Sequence, residues 1–327
     1  MNVLLTGATG VVGRALLPKL AGHDVTCLIH SDPMSGHKTL RGDVRLPRLG
    51  LSRGDLKELA ATIDVIVHAA ADTSLGTESV MAETNVTGTA RIVELAREAE
   101  ARLIHVSTAF SAMSTEGDAP ALAYARTKAH AEEVVRASGL PAVVVRPSII
   151  VGDSRTGRIA RHQGFHKLLE AFLRGLLPII PMDPSRLLDF VPQDVVADGI
   201  AGLLDRDADT TELWLTAGTR ALPLGTTVDE VRAAAAELGR PVAPVRFADP
   251  DLYERLIVPV FLQAVPAPTR RLMSALVEQL APYMAVREPF PSDVDELPDQ
   301  ALTLRATVRG WARTSGFRPH HTSGAVQ

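Results

Sequence analysis

The sequence predicts an α/β fold built on a doubly wound parallel sheet, and three observations carry that expectation. Short apolar runs alternate with runs of helical period through residues 1–150. The first apolar run, Asn2-Val3-Leu4-Leu5, leads into Gly7-Ala8-Thr9-Gly10-Val11-Val12-Gly13 and then into an amphipathic stretch. At 327 residues, 46% hydrophobic and 22% charged, the chain is long enough to bury a large core.

The elements follow in order. Residues 2–5 read as a short buried strand, and Val12, Leu16, Leu17 and Leu20 give the helical face of a run from Val11 to Leu20. A second strand is expected over 24–29 and a third over 40–44, with Asp43 at its exit. A brief helix over 56–63 leads to a buried strand over 64–68. One long helix over 78–99 precedes a fifth strand over 103–106. A helix over 122–137 stops at Ser138-Gly139, and residues 142–146 make the sixth strand. The second half is less regular: a helix over 165–176, an extended piece over 188–192, a helix over 193–204, a strand over 213–216 and a helix over 228–238. Residues 249–284 read as two helices broken by Pro266 and Pro268, and the tail from His320 as disordered. This organisation is a Rossmann-type dinucleotide-binding domain, residues 1–150 with 188–217 returning to it. A smaller, mainly helical substrate-binding region takes residues 151–187 and 218–320.

Composition excludes several classes. A net charge of −4 leaves no footprint for nucleic acid. The best apolar run, Leu256 to Val265, is cut by Pro259 and followed by Pro266, so membrane insertion is not expected. The strand starting at residue 2 leaves no room for a signal peptide, and Cys27 stands alone. These point to a cytoplasmic protein without disulfides. His162 and His166 stand at i,i+4 with no glutamate between them, so no metal is expected.

Strand, glycine turn and helix together make a dinucleotide cradle. Gly7 suits the tight turn, Gly10 the approach of backbone to a pyrophosphate, and Gly13 the packing of helix on strand. The helix start offers free N–H groups to the phosphates. Further on, Tyr124 and Lys128 lie one helical turn apart on one face. An ammonium there is expected to stabilise phenolate and lower the tyrosine pKa, fitting Tyr124 for proton exchange with a substrate oxygen. Ser107-Thr108 follows the fifth strand, at the end of the sheet where ligands bind; its hydroxyls can orient a carbonyl or cap a turn.

Taken jointly, these motifs resemble the extended short-chain dehydrogenases/reductases. The resemblance covers residues 1–152 through Gly7/Gly10/Gly13, Asp43, His68-Ala69-Ala70, Asn85-Val86-Thr87-Gly88-Thr89, Ser107-Thr108, Tyr124/Lys128 and Arg146-Pro147-Ser148. It implies Tyr124 as general acid/base, Lys128 as its ribose-binding partner, Thr108 as the substrate-orienting hydroxyl with Ser107 beside it, and Asn85 in support of the sheet or a proton-relay water. It implies a cofactor lined by Gly7, Thr9, Gly10, Val11, Val12, Gly13, His30, Ser31, Asp43, Val44, His68, Ala69, Ala70, Tyr124, Lys128, Pro147 and Ser148. His30-Ser31 stands at the tip of the second strand, where a carboxylate would mark NAD, with Asp32 one step beyond; NADP (NADPH) is favoured with NAD as the alternative. Arg14 or Lys38 is a candidate for the missing positive charge.

Residues 146–157 and 188–197 resemble the thioester-reductase and fatty acyl-CoA reductase branch. That branch implies hydride transfer to an acyl thioester, on a small molecule or a carrier protein, and allows a homodimer. Arg155, Arg158, Arg161, His162, His166 and Lys167 form a basic run that suits coenzyme A phosphates or an acidic carrier, or is a solvated face. A dehydrogenase or epimerase acting on a sugar nucleotide or hydroxysteroid-like alcohol would use the same tyrosine and lysine. A non-catalytic cofactor sensor is the third reading, against which the tyrosine–lysine pair argues.

Overall fold

The computed structural model describes residues 1–31, 34–74, 77–113, 120–162, 164–205, 210–253, 255, 275–276, 280, 283 and 286–316. Most of the helix pair expected over 249–284, and the tail from His320, lie outside these residues. The chain divides into two compact units. One holds residues 1–150, 189–219 and 290–296; the other holds 151–188, 220–289 and 297–327.

The first unit is built on strands β1 (Asn2–Thr6), β2 (Asp24–Ile29), β3 (Lys38–Arg41), β4 (Val65–His68), β5 (Arg102–Val106) and β6 (Ala142–Pro147). Short strands β7 (Ile149–Val151), β8 (Ile179–Ile180), β9 (Leu187–Leu188) and β10 (Phe190–Pro192) precede β11 (Glu212–Leu215), which joins the main sheet. The order is β3-β2-β1-β4-β5-β6-β11, with every neighbouring pair parallel. The order reverses between β1 and β4, the place where such sheets open a ligand crevice at their carboxyl ends. Leu4, Leu5, Ile66, Val67, Leu103 and Ile104 are fully buried, because helices cover both faces; hence these strands read as continuous apolar runs rather than alternating ones.

The helices depart from expectation in instructive places. Helix α1 (Val11–Leu16) tightens into a 3-10 turn at Leu17–Leu20, where Pro18 has no N–H to give the α-helical ladder. Helix α2 (Arg53–Ala60) starts earlier than periodicity suggested, since Ser52 caps it by accepting from Asp55 N at 3.1 Å. The single helix expected over 78–99 is three pieces: α3 (Glu78–Ala82), a π turn (Glu83–Thr87) and α4 (Gly88–Glu98). The third strand ends at Arg41, which leaves Asp43 and Val44 in the turn beyond it. Helix α5 (Pro120–Ala137) carries the tyrosine and lysine, and α7 (Gln193–Gly202) packs beside α1.

In the second unit, α6 (Phe165–Leu173), β12 (Leu222–Pro223), α8 (Leu224–Glu237) and β13 (Arg246–Phe247) form a small core. A helix at Gln300–Thr314, absent from the sequence expectations, packs on α8 through Arg305 to Glu230 (2.6 Å) and Arg309 to Glu237 (2.8 Å). The basic run does not form one face: His166 is buried on α6, its ring stacked 5.4 Å from that of His162.

Candidate active site

The glycine turn is shaped first by the protein's own packing. Gly7 sits at φ +71°, and a Cβ there would lie 2.5 Å from the Ala69 carbonyl. A Cβ on Gly13 would lie 2.4 Å from Gly7 O. Both positions therefore need glycine for chain to meet chain. Gly10 differs, since its would-be Cβ meets only Gly7 O at 3.2 Å, which a few tenths of an ångström relieve.

Beneath the turn runs a directed set of hydrogen bonds. Thr89 Oγ1 donates to Asn85 O at 2.6 Å, so its oxygen is left to accept from His68 Nε2 at 3.1 Å. That leaves His68 Nδ1 to accept from the Thr6 hydroxyl at 2.7 Å, and Thr6 Oγ1 in turn accepts from Ala70 N. His68 is fully buried, and desolvation, with Lys128 nearby, pushes its pKa down to about 3.

Asn85 lies in the π turn and is also fully buried. Its Nδ2 donates to Thr127 Oγ1 on α5 (2.9 Å) and to Asp72 O (3.1 Å), while its Oδ1 accepts from Asp72 N (2.8 Å). Its side chain thus ties α5 to the loop after β4. The π turn closes with Gly88 N donating to Glu83 O.

Tyr124, Lys128 and Glu132 share one face of α5. Lys128 is 1% exposed; its Nζ donates to Val106 O at 2.9 Å and lies 3.4 Å from His105 Nε2. Burial lowers its pKa to about 8, opposed by the charge of Glu132. The Tyr124 hydroxyl has no hydrogen-bond partner among the described residues. The expected lowering of its pKa is not found: burial raises it to about 12, because the phenolate loses water and the lysine is turned to the sheet.

Ser107 and Thr108 part company. The Ser107 hydroxyl donates to Glu132 Oε1 at 2.5 Å, inside a network that also holds Ser111 and Arg146 (Nη2 to Glu132 Oε2, 2.6 Å). Arg146 reaches on to Glu212 at 2.7 Å and lies 4.5 Å from the Trp214 ring centre. Thr108 Oγ1 stands apart from the carboxylate, with long contacts of 3.4 Å to Phe110 N and 3.5 Å to Pro147 O. Next to Pro147, the buried Ser148 hydroxyl has no hydrogen-bond partner among the described residues.

At the far edge, Asp43 is gripped by Arg45, whose side chain also lies 3.3 Å from His30. Val44 packs under Gly88. Lys38 cannot serve the ribose end: it opens β3 at the opposite end of the strands and pairs with Asp24 at 3.6 Å. Arg14 Nε donates to Thr9 O at 3.1 Å. Sequence reasoning gave no role to Glu132, Thr6, Arg45 or Thr89, although Thr89 closes the Asn85–Thr89 motif; Glu132 also had a local signal, one further turn along the Tyr124–Lys128 face. Among the described residues no group of three or more His, Cys, Asp or Glu is placed to hold a metal ion, and no helix is long and apolar enough to cross a membrane.

A family model described as male sterility protein, an NAD-binding family, matches residues 35–200, just over half of the chain. The chain belongs to that family. It is an extended short-chain dehydrogenase/reductase, as the motifs implied. A linear gramicidin synthase component from Brevibacillus parabrevis is 30% identical over 246 residues, covering 61% of this chain and 5% of that protein. This family member thus spans a small part of the curated relatives it matches. The terminal R domain from the myxalamid PKS-NRPS biosynthetic pathway shares the fold, with TM-score 0.75 and 24% identity over 97% of this chain and 91% of that one. A UDP-glucuronic acid 4-epimerase from Bacillus cereus, in complex with NAD, also shares it, with TM-score 0.62 and 18% identity over 96% and 97%.

Proposed function

We propose that this protein is an NADPH-dependent reductase of acyl thioesters, presented by a carrier protein or coenzyme A, with Tyr124 as the proton donor. The observation that carries the reading is the Tyr124 hydroxyl: unpartnered among the described residues, one turn from Lys128, and holding its proton up to about pH 12. Such a phenol is a donor at neutral pH and fits reduction better than oxidation. The terminal R domain of the myxalamid pathway and the gramicidin synthase, both similar to this chain, support an acyl group on a carrier as substrate.

The residues fit a nicotinamide dinucleotide. Of Gly7, Gly10 and Gly13, Gly10 is the one that protein packing demands least, and so the one suited to a close-lying pyrophosphate. Bound there, the cofactor supplies a hydride to the thioester carbonyl carbon. Thr108 donates to the carbonyl oxygen and orients it. Tyr124 passes its proton to the oxygen as negative charge builds, since an alkoxide is the stronger base. To steady the phenolate left behind, Lys128 has to turn toward it from Val106 O. The resulting thiohemiacetal breaks its C–S bond, its hydroxyl proton goes to sulfur, and aldehyde and free thiol leave.

The test is turnover of acyl-CoA and acyl-pantetheine thioesters with NADPH, measuring nucleotide oxidation, aldehyde and thiol together. Equal yields of the three are expected, and Tyr124→Phe should lower kcat by about 10²–10⁴ with the fold intact. Full activity in that variant removes Tyr124 from the chemistry. Thioesters left untouched, with a sugar nucleotide epimerised or oxidised instead, would favour the second reading, which the likeness to the 4-epimerase supports.

A further inference from the structure

We propose that Arg45, with His30 beside it, reads the 2′ position of the cofactor's adenosine ribose and selects a phosphate there over a hydroxyl. The inference rests on the nicotinamide reading above and names the residue that sets its specificity. In a dinucleotide-binding sheet the ribose lies beyond the carboxyl end of the second strand, where a carboxylate takes a 2′-hydroxyl and an arginine a 2′-phosphate. His30 and Ser31 follow β2 directly, and neither is a carboxylate.

The cation comes from the neighbouring strand. β2 and β3 run in register with Ile29 opposite Arg41, and Gly42 N donates to Ile29 O at 2.9 Å. This sets the turn from Asp43 to Arg45 against the tip of β2, with Arg45 Nη2 3.3 Å from His30 Nε2. The guanidinium is held in place: its Nε lies 3.0 and 3.1 Å from the two Asp43 oxygens, and its Nη2 donates to Oδ2 at 2.8 Å. Arg45 N donates to Asp43 Oδ1 at 2.9 Å, and Arg91 on α4 donates to the Arg45 carbonyl.

Two consequences point to an anion. One edge of the guanidinium is spent on Asp43, which leaves Nη1 without a hydrogen-bond partner among the described residues. Exposure also favours the cation, the Arg45 side chain being 43% exposed and that of Asp43 12%. A ligand reaching this corner therefore meets a preorganised arginine whose own counter-charge is largely covered. The carboxylates of Asp72 and Glu83 are within electrostatic range of Arg45, so a phosphate must gain direct contact to bind.

Calorimetric titration of the whole protein with adenosine 2′,5′-bisphosphate and adenosine 5′-monophosphate tests this without turnover. The wild type should bind the bisphosphate more tightly. Arg45→Ala should weaken that binding by roughly 10- to 100-fold, the worth of one charge-assisted contact, and leave the monophosphate as in wild type. Arg45→Lys should fall between, with unchanged melting temperatures showing that all three proteins are folded. Equal weakening of both nucleotides would reduce Arg45 to a support for Asp43 and overturn the assignment, as would a wild type that binds the two alike. If neither nucleotide bound, the cofactor reading itself would fall; monophosphate binding without 2′ selectivity would leave it standing.

Discussion

Lys128 is the costliest single residue in the candidate site. Its ammonium titrates near 10.5 in the unfolded chain and near 8 when buried, which corresponds to about 3 kcal/mol of stability given up at neutral pH. Between those values the unfolded chain holds a proton that the folded one has lost, so stability rises with pH across that window. Lys128→Met should therefore raise the urea midpoint at pH 7, with the gain shrinking above pH 8 and gone above about pH 10.5, while activity is lost. A variant no more stable at pH 7 would mean that the buried ammonium is fully compensated. The tyrosine–lysine pair was legible in the sequence because its spacing is local. The preference for Thr108 over Ser107 came from the family resemblance, whereas the hydrogen bond that occupies Ser107 could not be read, because its partner Glu132 lies 25 residues further along the chain.

At the scale of elements, α5 does two jobs with one face. Tyr124 and Lys128 occupy its first turns, and Glu132, one turn on, fastens the helix to the end of β5 through Ser107 and Ser111 and to β6 through Arg146. Arg146 is 5% exposed, so removing its partner strands a buried charge. Glu132→Gln should cost about 3–5 kcal/mol in denaturant unfolding. A loss below 1 kcal/mol would show Arg146 and Glu212 sufficing without it. The π turn around Asn85 was hidden from periodicity for a physical reason. One extra residue rotates the helix face while leaving apolar residues on both sides, so the run over 78–99 still reads as one helix.

At the scale of the molecule, the parallel sheet was the most legible feature, since burial on both faces writes itself as short apolar runs. The chain's late return was not. Residues 290–296 rejoin the first unit along β11: Trp214 N donates to Asp293 Oδ2 at 2.7 Å, and Asp293 N to Trp214 O at 2.9 Å. Nothing in that short polar stretch announces a partner so distant in sequence. It covers the open side of an edge strand. Asp293→Ala should cost about 1–2 kcal/mol and speed amide hydrogen exchange in β11 above that in β1, whereas uniform exchange would assign the segment no local role. The hydrogen-bonded row under the glycine turn has its own consequence. It starts at a peptide N–H, that of Ala70, and stops at a peptide carbonyl, that of Asn85. Neither terminus releases or accepts a proton, so the row is a circuit with no contacts to the outside. His68 is a strut in that circuit, and whatever reprotonates Tyr124 must travel by another road.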